Sequence, residues 1–492
     1  MKKEMASMKE NDVWDLVELP SDRKAVGCKW VFRMKDGGIA KGRIVAQGYN
    51  QIEGFDFNET FAPVVRFETL RIYLALSHSE RYHIHQMDVS TAFLNGDIEE
   101  TIYMKQPPGF IDPLQPDAVC MLKKSLYGLK QSPRQWNRKL ITFLLDSNFR
   151  QCDYDPCLFI SLGPTKVYVA VYVDDILISS SSEEEIARTK ALFSSTFKMT
   201  DLGELEVFLG IKVTRSGSIL QLSQEAYTCN ILEKFGMKDC HPQPSPCDPS
   251  AVITEANNVP LPDNIPYRQA VGCLIYLATS TRPDLCFAVN QASRHLSSPT
   301  MFDWIQVKRI FRYLAGTKSF GVSFDSNTPF RLTAYADADW GGDIDSRRST
   351  TGFTLMLSGG CISWKSQLQK TVALSSMEAE YMSASQASQE IIWTRNILAD
   401  LGYEQKEPTL LYEDNQSCIA LTKESRYHKR AKHIDLKYHF IRQTILKQQI
   451  ALKYCPSAEQ KADILTKPLS RVKHQEGVKL LNLITGTQLQ GE

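Results

Sequence analysis

The chain has 492 residues, of which 43% are hydrophobic and 23% are charged, and its formal net charge is +1. This length predicts two to four domains with hydrophobic cores of their own. The balanced charge excludes nucleic-acid binding by bulk attraction, so any such binding must use local basic patches. The twelve cysteines include no C-x-x-C pair. No apolar run reaches the roughly 18 residues that a membrane helix needs, and the polar N-terminus resembles no presequence. We therefore expect a soluble intracellular protein with reduced thiols.

The N-terminal part, residues 14–51, has a strand-like pattern with a hairpin turn at Gly37-Gly38. Cations follow this turn, among them Lys41 and Arg43. Such cations form either a solvated face or a grip on phosphate. Residues 63–79 then carry apolar side chains at helical spacing, which predicts a helix.

The segment 167–180 is apolar on both sides of Asp174-Asp175, which predicts two buried strands joined by a hairpin with both carboxylates at its tip. That tip is either a solvated turn or a metal site, because adjacent carboxylates among aliphatic residues repel each other unless a cation compensates. A third carboxylate on a neighbouring strand would favour the metal. Residues 82–87 alternate like a strand and place Asp88 at its carboxyl end, where an aspartate is either a helix N-cap or that third ligand.

Two further stretches have informative compositions. Residues 122–136 mix glycine, cations and aromatic residues, which is typical either of a loop and helix lying against a template or nucleotide, or of an amphipathic helix with a wet basic face. Residues 241–266 are rich in Pro, Asp, Asn and Ser and predict a linker. The pattern of residues 267–316 is helical.

The C-terminal third carries acids at four corners of a predicted domain: Asp337 in a strand, Glu378 or Glu380 at the start of a helix, Asp414 after a short strand, and Asp463 in a helix starting at residue 459. Taken singly, each acid is equally well an N-cap, a surface residue or a turn. The stretch between the last two acids is the most basic of the chain. It is either a solvated face or a binding surface for a nucleic-acid backbone, which we favour.

In order and spacing, seven sequence blocks resemble the reverse transcriptase portion of copia-class (Ty1/copia) LTR retrotransposon Pol polyproteins. They are K-W-V-F, R-I-V-A-Q-G-Y, F-A-P-V-V-R, Q-M-D-V-S-T-A-F-L-N-G, Y-M-K-Q-P-P-G-F, S-L-Y-G-L-K-Q-S-P-R-Q-W and Y-V-D-D. The C-terminal order of strands, helices and acids resembles ribonuclease H. The resemblance implies a multidomain chain of α+β and α/β classes, in which a right-hand polymerase with fingers, palm and thumb precedes a ribonuclease H-like domain.

The expected domains are residues 11–240 for fingers and palm, 241–266 for a linker, 267–328 for a thumb- or connection-like helical region, 329–470 for the ribonuclease H-like domain and 471–492 for a tail. In the palm, the resemblance implies that Asp88, Asp174 and Asp175 are catalytic and bind two Mg²⁺ ions, the hard cations that carboxylate oxygens suit.

The resemblance also implies the residues that bind the nucleotide. Arg43, together with Lys41, would contact the triphosphate, and Gly128 and Gln131 would flank the nascent base pair. Phe93 lies where relatives place a ring beneath the nucleotide sugar, and such a ring would clash with a ribose 2′-hydroxyl. Residues 35–39 replace a longer hairpin of typical relatives, so the fingertip loop is shortened, which argues mildly against full polymerase activity.

For the nuclease, the resemblance implies that Asp337, Glu380, Asp414 and Asp463 are catalytic and hold two further Mg²⁺ ions, with Mn²⁺ as an alternative. Glu378 is the competitor for the second place, and we prefer Glu380 because it directly precedes Tyr381-Met382. The expected substrate is the RNA strand of an RNA–DNA hybrid, whose 2′-hydroxyls and minor groove a protein can recognise.

The implied function is RNA- and DNA-directed DNA synthesis with ribonuclease H activity. Expected partners are an RNA template, a DNA primer, the hybrid and deoxynucleoside triphosphates, with capsid and integrase parts of the element supplied separately and no membrane. The expected location is the cytoplasm, in a virus-like particle for an active element, with the nucleus as an alternative. Because capsid, protease and integrase segments do not precede Met1, the chain is expected to be a processed fragment or a genomic remnant. The alternatives are therefore a catalytically inactive or domesticated remnant that only binds nucleic acid and a chain that retains ribonuclease H alone.

Overall fold

The computed structural model of the protein describes residues 1–34, 40–423 and 432–485. The chain forms two compact units, one of Met1–Val65 with His83–Glu204 and the other of Arg66–Tyr82 with Leu205–Glu492. The domain boundaries expected from the sequence stay predictions. No helix among the described residues is both long enough and apolar enough to cross a membrane.

The regular elements of the first 204 residues are α1 (Lys2–Glu10), β1 (Trp14–Val17), β2 (Cys28–Met34), β3 (Ala40–Ala46), α2 (Phe67–Ser79), β4 (His83–Val89), β5 (Tyr103–Lys105), β6 (Val119–Leu122), α3 (Ser132–Asp146), β7 (Phe149–Gln151), β8 (Leu158–Ser161), β9 (Val167–Tyr172), β10 (Asp175–Ser180), α4 (Glu183–Thr196) and β11 (Met199–Glu204). Helix α2 belongs to the second unit, and the other elements belong to the first.

The first unit is built around a six-stranded antiparallel sheet with the order β11-β4-β10-β9-β8-β7. Strand β9 has the sequence V-Y-V-A-V-Y, whose β-branched and aromatic residues favour a pleated, buried strand. Helices α3 and α4 cover the sheet, because Trp136 and Phe193 share one buried cluster with Val169 and Ile176 of the central strands. The strands that carry the predicted palm acids are thus at the centre of a rigid core.

A second core of the first unit lies under two small sheets, β1-β6-β5 and β2-β3. Met8 of α1, Ile44 of β3 and Leu126 are buried together there. This packing fixes β3, the strand that carries Lys41 and Arg43, to the N-terminal helix.

The elements that follow residue 204 are β12 (Val207–Phe208), β13 (Ile211–Ser216), β14 (Ile219–Ser223), α5 (Glu225–Lys234), α6 (Tyr267–Ser280), α7 (Cys286–Arg294), α8 (Met301–Gly316), β15 (Gly321–Asp325), β16 (Thr333–Asp339), β17 (Thr350–Leu357), β18 (Gly360–Leu368), α9 (Ser376–Asp400), β19 (Thr409–Glu413), α10 (Gln416–Lys423), α11 (Lys432–Leu446), β20 (Ile450–Tyr454), α12 (Arg471–Leu480) and β21 (Leu483–Ile484). They form the second unit together with α2.

Helices α5 to α8 pack on each other through a cluster that includes Leu232, Leu274, Val307 and Phe311. Helices α6 to α8 form the helical region predicted from residues 267–316, and α5 precedes it. Buried polar side chains of helix α2 contact other parts of the second unit. The Arg71 guanidinium donates to the backbone oxygens of Ile362, Thr279 and Ser280, and His78 Nε2 lies 2.6 Å from the Ser218 backbone oxygen. An arginine is tolerated in a core when each of its donors finds such an acceptor.

The five-stranded sheet that carries the C-terminal acids has the order β18-β17-β16-β19-β20. Strands β16, β17 and β18 are antiparallel neighbours, whereas β16, β19 and β20 are parallel. If β16 to β20 are renumbered 1 to 5 in chain order, the strand order is 3-2-1-4-5, and α9 connects strands 3 and 4. This is the topology of a ribonuclease H-like domain. The predicted fold class, a mixed α/β multidomain chain, is confirmed.

One local prediction differs from the structure. The helix predicted from residue 459 is replaced by two short 3₁₀ helices, Ser457–Glu459 and Asp463–Leu465, because Gln460 between them is extended and its buried amide donates to the Ala336 carbonyl oxygen. Within the expected tail, α12 is followed by β21, which pairs with β15. The shortened fingertip, residues 35–39, and much of the basic stretch, residues 424–431, lie outside the described residues.

Candidate active sites

The first candidate site lies on the hairpin of β9 and β10. Its loop consists of Val173 and Asp174, and Asp175 is already the first residue of β10, so the two carboxylates do not share the tip as predicted. Val173 has a φ of +57°, which is strained for a β-branched residue and is a feature that clusters at functional sites. The Trp136 Nε1–H donates to the Val173 carbonyl oxygen at 2.7 Å and holds this turn.

Strand β4 brings the third carboxylate to the hairpin. Asp88 is the direct register partner of Asp175, so their Cβ atoms are neighbours on adjacent strands. The Val89 N–H donates to the Asp174 backbone oxygen at 2.8 Å, which fixes the loop against the end of β4. The three predicted palm acids therefore lie at one end of the sheet.

The mutual repulsion of these acids affects the pKa of Asp175. Burial raises the pKa of Asp175 to about 6, and the charges of Asp174 and then Asp88 contribute to the increase. The Gln86 Nε2–H donates to Asp175 Oδ1 at 3.2 Å, and this hydrogen bond lowers the pKa of Asp175. A divalent cation would relieve this repulsion, and carboxylate oxygens are the donors that Mg²⁺ prefers.

Arg43 and Phe93 meet through a residue that the sequence did not single out. The Arg43 guanidinium carbon lies 4.8 Å from the ring centroid of Tyr127, and the Phe93 ring meets the same ring edge-on at 4.9 Å. Burial raises the pKa of Tyr127, and Asp174 and Asp88 also raise it while Arg43 lowers it. The predicted triphosphate contact and the predicted sugar gate thus share one aromatic support beside the palm acids.

Lys41 is exposed on β3, opposite Arg33 on β2. Beneath β3 lies Glu4 of α1, whose carboxyl pKa is raised by burial, while a hydrogen bond to the Ile44 backbone and the charges of Arg43 and Lys41 oppose the increase. The two predicted triphosphate contacts therefore interact with one buried carboxyl of α1.

The remaining predicted nucleotide residues have structural roles in this conformation. Gly128 has a φ of +93°, and a Cβ there would lie 2.1 Å from the Ala46 carbonyl oxygen, so glycine is required. Gln131 is fully buried, and its Nε2 donates to the Asp56 backbone oxygen at 2.8 Å and to Glu100 Oε2 at 3.1 Å. Their contacts with a nascent base pair stay predictions.

The second candidate site is a cluster of acids in the five-stranded sheet. Asp337 of β16, Glu380 of α9 and Asp414, which directly follows β19, each offer a ligand atom within 4.8 Å of the other two. Glu378 instead accepts a hydrogen bond from the Leu374 N–H at 2.8 Å and closes the loop before α9. The geometry therefore groups Glu380, and not Glu378, with the other two acids.

Asp463 joins this cluster through a lysine. Lys467 Nζ lies 2.8 Å from Asp463 Oδ1 and 3.7 Å from Asp337 Oδ2, and Thr466 Oγ1 donates to the same Asp337 oxygen. Lys467 is four residues past Asp463, and its side chain is 36% exposed. The Lys467 ammonium thus offsets part of the negative charge of the acid cluster. Sequence reasoning did not single out Lys467.

The electrostatics of the cluster are strongly unfavourable for bare carboxylates. Burial raises the pKa of Asp337 to about 7, with Lys467 opposing, and burial beside Glu413 raises that of Glu380 to about 11. Glu413 is itself fully buried, and burial raises its pKa well above the usual value. Sequence reasoning did not single out Glu413, the last residue of β19, whose carboxyl is hydrogen-bonded to that of Glu380 on α9.

The donor set of the second site fits a hard divalent cation. The buried carboxyls of Glu380 and Glu413 share a hydrogen bond, and acids buried this close to each other need a shared proton or a cation between them. Asp337, Glu380 and Asp414 have the spacing to hold one ion between them. No residue of this set identifies the metal beyond a preference for oxygen ligands.

Comparison with known proteins adds the family. Residues 11–249 match the family described as "Reverse transcriptase (RNA-dependent DNA polymerase)". The chain is 41% identical to the retrovirus-related Pol polyprotein from transposon TNT 1-94 of Nicotiana tabacum, over 96% of this chain and 37% of that polyprotein. It is also 41% identical to the Pol polyprotein from transposon RE2 of Arabidopsis thaliana, over 96% of this chain and 33% of that polyprotein. This chain therefore spans about a third of the length of these relatives.

A shorter relative is matched along its whole length. The putative transposon Ty5-1 protein of Saccharomyces cerevisiae is 34% identical over 62% of this chain and 100% of its own sequence. Among solved structures, LC11-RNase H1 isolated from compost is similar over 28% of this chain and 94% of its own, with 14% identity and a TM-score of 0.23. That likeness is too low to carry an argument, so the second site rests on its own strand order and acids.

Proposed function

The chain belongs to the reverse transcriptase family of copia-type retrotransposon Pol polyproteins, and from this membership we propose that it synthesises DNA on an RNA template and degrades the RNA strand of the resulting hybrid. The family predicted from the sequence motifs is confirmed. The observation that supports two activities in one chain is the presence of two separate acid sites, one at Asp88, Asp174 and Asp175 and one around Asp337.

For polymerisation, Asp88, Asp174 and Asp175 would hold Mg²⁺ ions. When bound, such ions stabilise the attacking and leaving oxygens of phosphoryl transfer. The chain's own residues would bind and orient the nucleotide. Arg43 would neutralise the triphosphate, and the Phe93 ring would exclude a ribose 2′-hydroxyl, so that deoxynucleotides are selected.

For RNA cleavage, Asp337, Glu380 and Asp414 would hold a divalent cation, and Asp463 would bind the second one beside Lys467. The raised pKa values of Asp337 and Glu380 mean that cation binding displaces protons from these carboxyls. The substrate would be an RNA–DNA hybrid. Lys and Arg side chains outside the acid cluster would contact its phosphates.

The proposal includes partners and location. A primer, a template and deoxynucleoside triphosphates are required by the reaction, and capsid and integrase parts of the same element would come from elsewhere. The cytoplasm, inside a particle, is the proposed location. The alternative of a silent remnant is not favoured, because random substitution would spare seven carboxylates only by chance.

The test is primer extension by the purified protein on an RNA template with Mg²⁺ and deoxynucleotides, with cleavage of the RNA followed in the same tube. The expected result is an extended primer together with shortened RNA. A folded protein that binds the primer–template but gives neither product would overturn the proposal. Cleavage of the RNA without primer extension would leave only the ribonuclease H part of the proposal.

A further inference from the structure

The first unit exposes an unusual number of large apolar side chains within one short segment. Tyr49, Phe55 and Phe61 are 73%, 70% and 70% exposed, and Ile52 and Val64, which lie in the same segment, are 55% and 46% exposed. Each exposed ring forgoes the free energy that burial would supply, roughly 1.5–3 kcal/mol for a large apolar side chain. Several large apolar side chains exposed along one short segment indicate a surface that binds a partner. We name Tyr49, Phe55 and Phe61 the ring surface.

The backbone of this segment is anchored, so the rings are held outward. Gln51 Nε2 donates to Gln131 Oε1 at 3.0 Å, and the Lys130 N–H donates to Gln51 Oε1 at 2.8 Å. The Gln131 amide in turn binds the Asp56 carbonyl oxygen at 2.8 Å. Buried amide pairs fix geometry well because leaving either partner unpaired is costly. The segment is thereby fastened to the loop that precedes α3.

Cations accompany the rings. Lys130 Nζ lies 4.2 Å from the ring centroid of Phe57, and Arg134 Nη1 donates to the Phe61 carbonyl oxygen at 3.3 Å. Lys130 is exposed, and Arg134 is partly exposed. Exposed rings interleaved with cations are the combination that binds single-stranded nucleic acid, because bases stack on the rings while the cations meet the phosphates.

The ring surface is continuous along the chain with the polymerase site. Gly128 lies directly after Tyr127, and a Cβ at Gly48 would be 2.0 Å from the Gly128 carbonyl oxygen. One residue past Gly48, Tyr49 begins the ring surface. Tyr127 itself contacts Arg43 and Phe93. A polymerase must receive template bases that are not yet paired, and their faces are free for stacking.

We propose that Tyr49, Phe55 and Phe61 form a stacking surface for the unpaired template bases ahead of the polymerase site, with Lys130 and Arg134 meeting the template phosphates. This inference rests on the proposed polymerase function and deepens it by placing the template strand on the first unit. A duplex without an overhang has no unpaired base to stack, so the surface contributes to binding only when an overhang is present.

The experiment measures equilibrium binding of the full chain to two fluorescent RNA–DNA duplexes without metal or nucleotide, so that no reaction occurs. One duplex is blunt and the other carries a 5′ template overhang. We expect the intact protein to prefer the overhang. Tyr49→Ala, Phe55→Ala and Phe61→Ala should each weaken overhang binding by roughly 5- to 150-fold, the range measured for single stacked bases, and leave blunt-duplex binding unchanged.

Matched variants separate stacking from other effects. Phe61→Tyr keeps the ring and should keep the overhang preference, whereas Phe61→Leu keeps apolar bulk and should lose it. Leu114→Ala removes a side chain of the same unit that is 89% exposed and should change neither affinity. Because the rings are exposed, thermal melting of the variants should match that of the parent.

Two outcomes would overturn the inference. The first is an overhang preference that survives removal of all three rings, and the second is an equal loss of blunt and overhang binding. The result is distinguishable from failure of the proposed function. If the parent extends no primer but the ring variants lose overhang binding, the template surface stands and the polymerase activity falls. If the parent extends primers and the ring variants bind the overhang normally, the polymerase activity stands and the template surface falls.

Discussion

Lys467 gives the sharpest quantitative prediction. Its Nζ lies 3.7 Å from Asp337 Oδ2, and two unit charges at this distance interact by about 4 kcal/mol at an effective dielectric constant near 20. Because the Lys467 side chain is 36% exposed, solvent screening reduces this to about 1.4 kcal/mol, or roughly one pKa unit. In Lys467→Met, the pKa of Asp337 should therefore rise above its value of about 7.

The same change should strengthen cation binding once Asp337 is ionised, because the ammonium no longer repels the metal. Below the pKa of Asp337, stronger proton competition offsets this gain, so parent and variant should need similar Mg²⁺ concentrations. Above about pH 8, the variant should need roughly tenfold less Mg²⁺. The assay is the Mg²⁺ concentration for half-maximal hybrid cleavage without deoxynucleotides, measured across this pH range. A variant that needs more Mg²⁺ at high pH would refute the reasoning.

Phe93→Ala should improve the use of ribonucleotides relative to deoxynucleotides by about 10- to 200-fold in primer extension, and unchanged sugar discrimination would remove Phe93 from the gate. Because metal binds ionised Asp175, whose pKa is about 6, the Mg²⁺ needed for half-maximal extension should increase about tenfold per pH unit below that value. A Mg²⁺ requirement that does not change with pH in the parent would contradict the assignment. Arg71→Met should lower the free energy of unfolding by about 3–5 kcal/mol in urea, since buried carbonyl oxygens lose their donor. The exposed control Arg471→Met should change it by less than about 0.5 kcal/mol, and equal effects would refute the role of Arg71.

The palm could be predicted from the sequence because its signals are local. Strand periodicity placed Asp88 at the end of one strand and Asp174-Asp175 between two others, and β4 and β10 are indeed neighbours. The exact position of the turn could not be predicted, since Asp-Asp and Val-Asp are both poor turn formers. Tertiary packing decided it, with Trp136 holding the Val173 carbonyl.

The rest of the candidate sites depends on contacts between distant parts of the chain. Tyr127 meets Arg43 across 84 positions of sequence, roughly a sixth of the chain, and no periodicity encodes that encounter. Gln131 looked available for a substrate, yet its amide is consumed by partners from other segments. Lys467 and Glu413 carry no motif of their own, and their importance follows from the burial of the acids beside them.

The central claim is that one chain contains two independent metal-dependent sites, and separation of function tests it most directly. Asp174→Asn and Asp337→Asn would be assayed for primer extension and hybrid cleavage in the same tube as the parent. The account predicts that Asp174→Asn abolishes extension and leaves cleavage intact, and that Asp337→Asn does the reverse. Loss of both activities from either single, folded variant would contradict it.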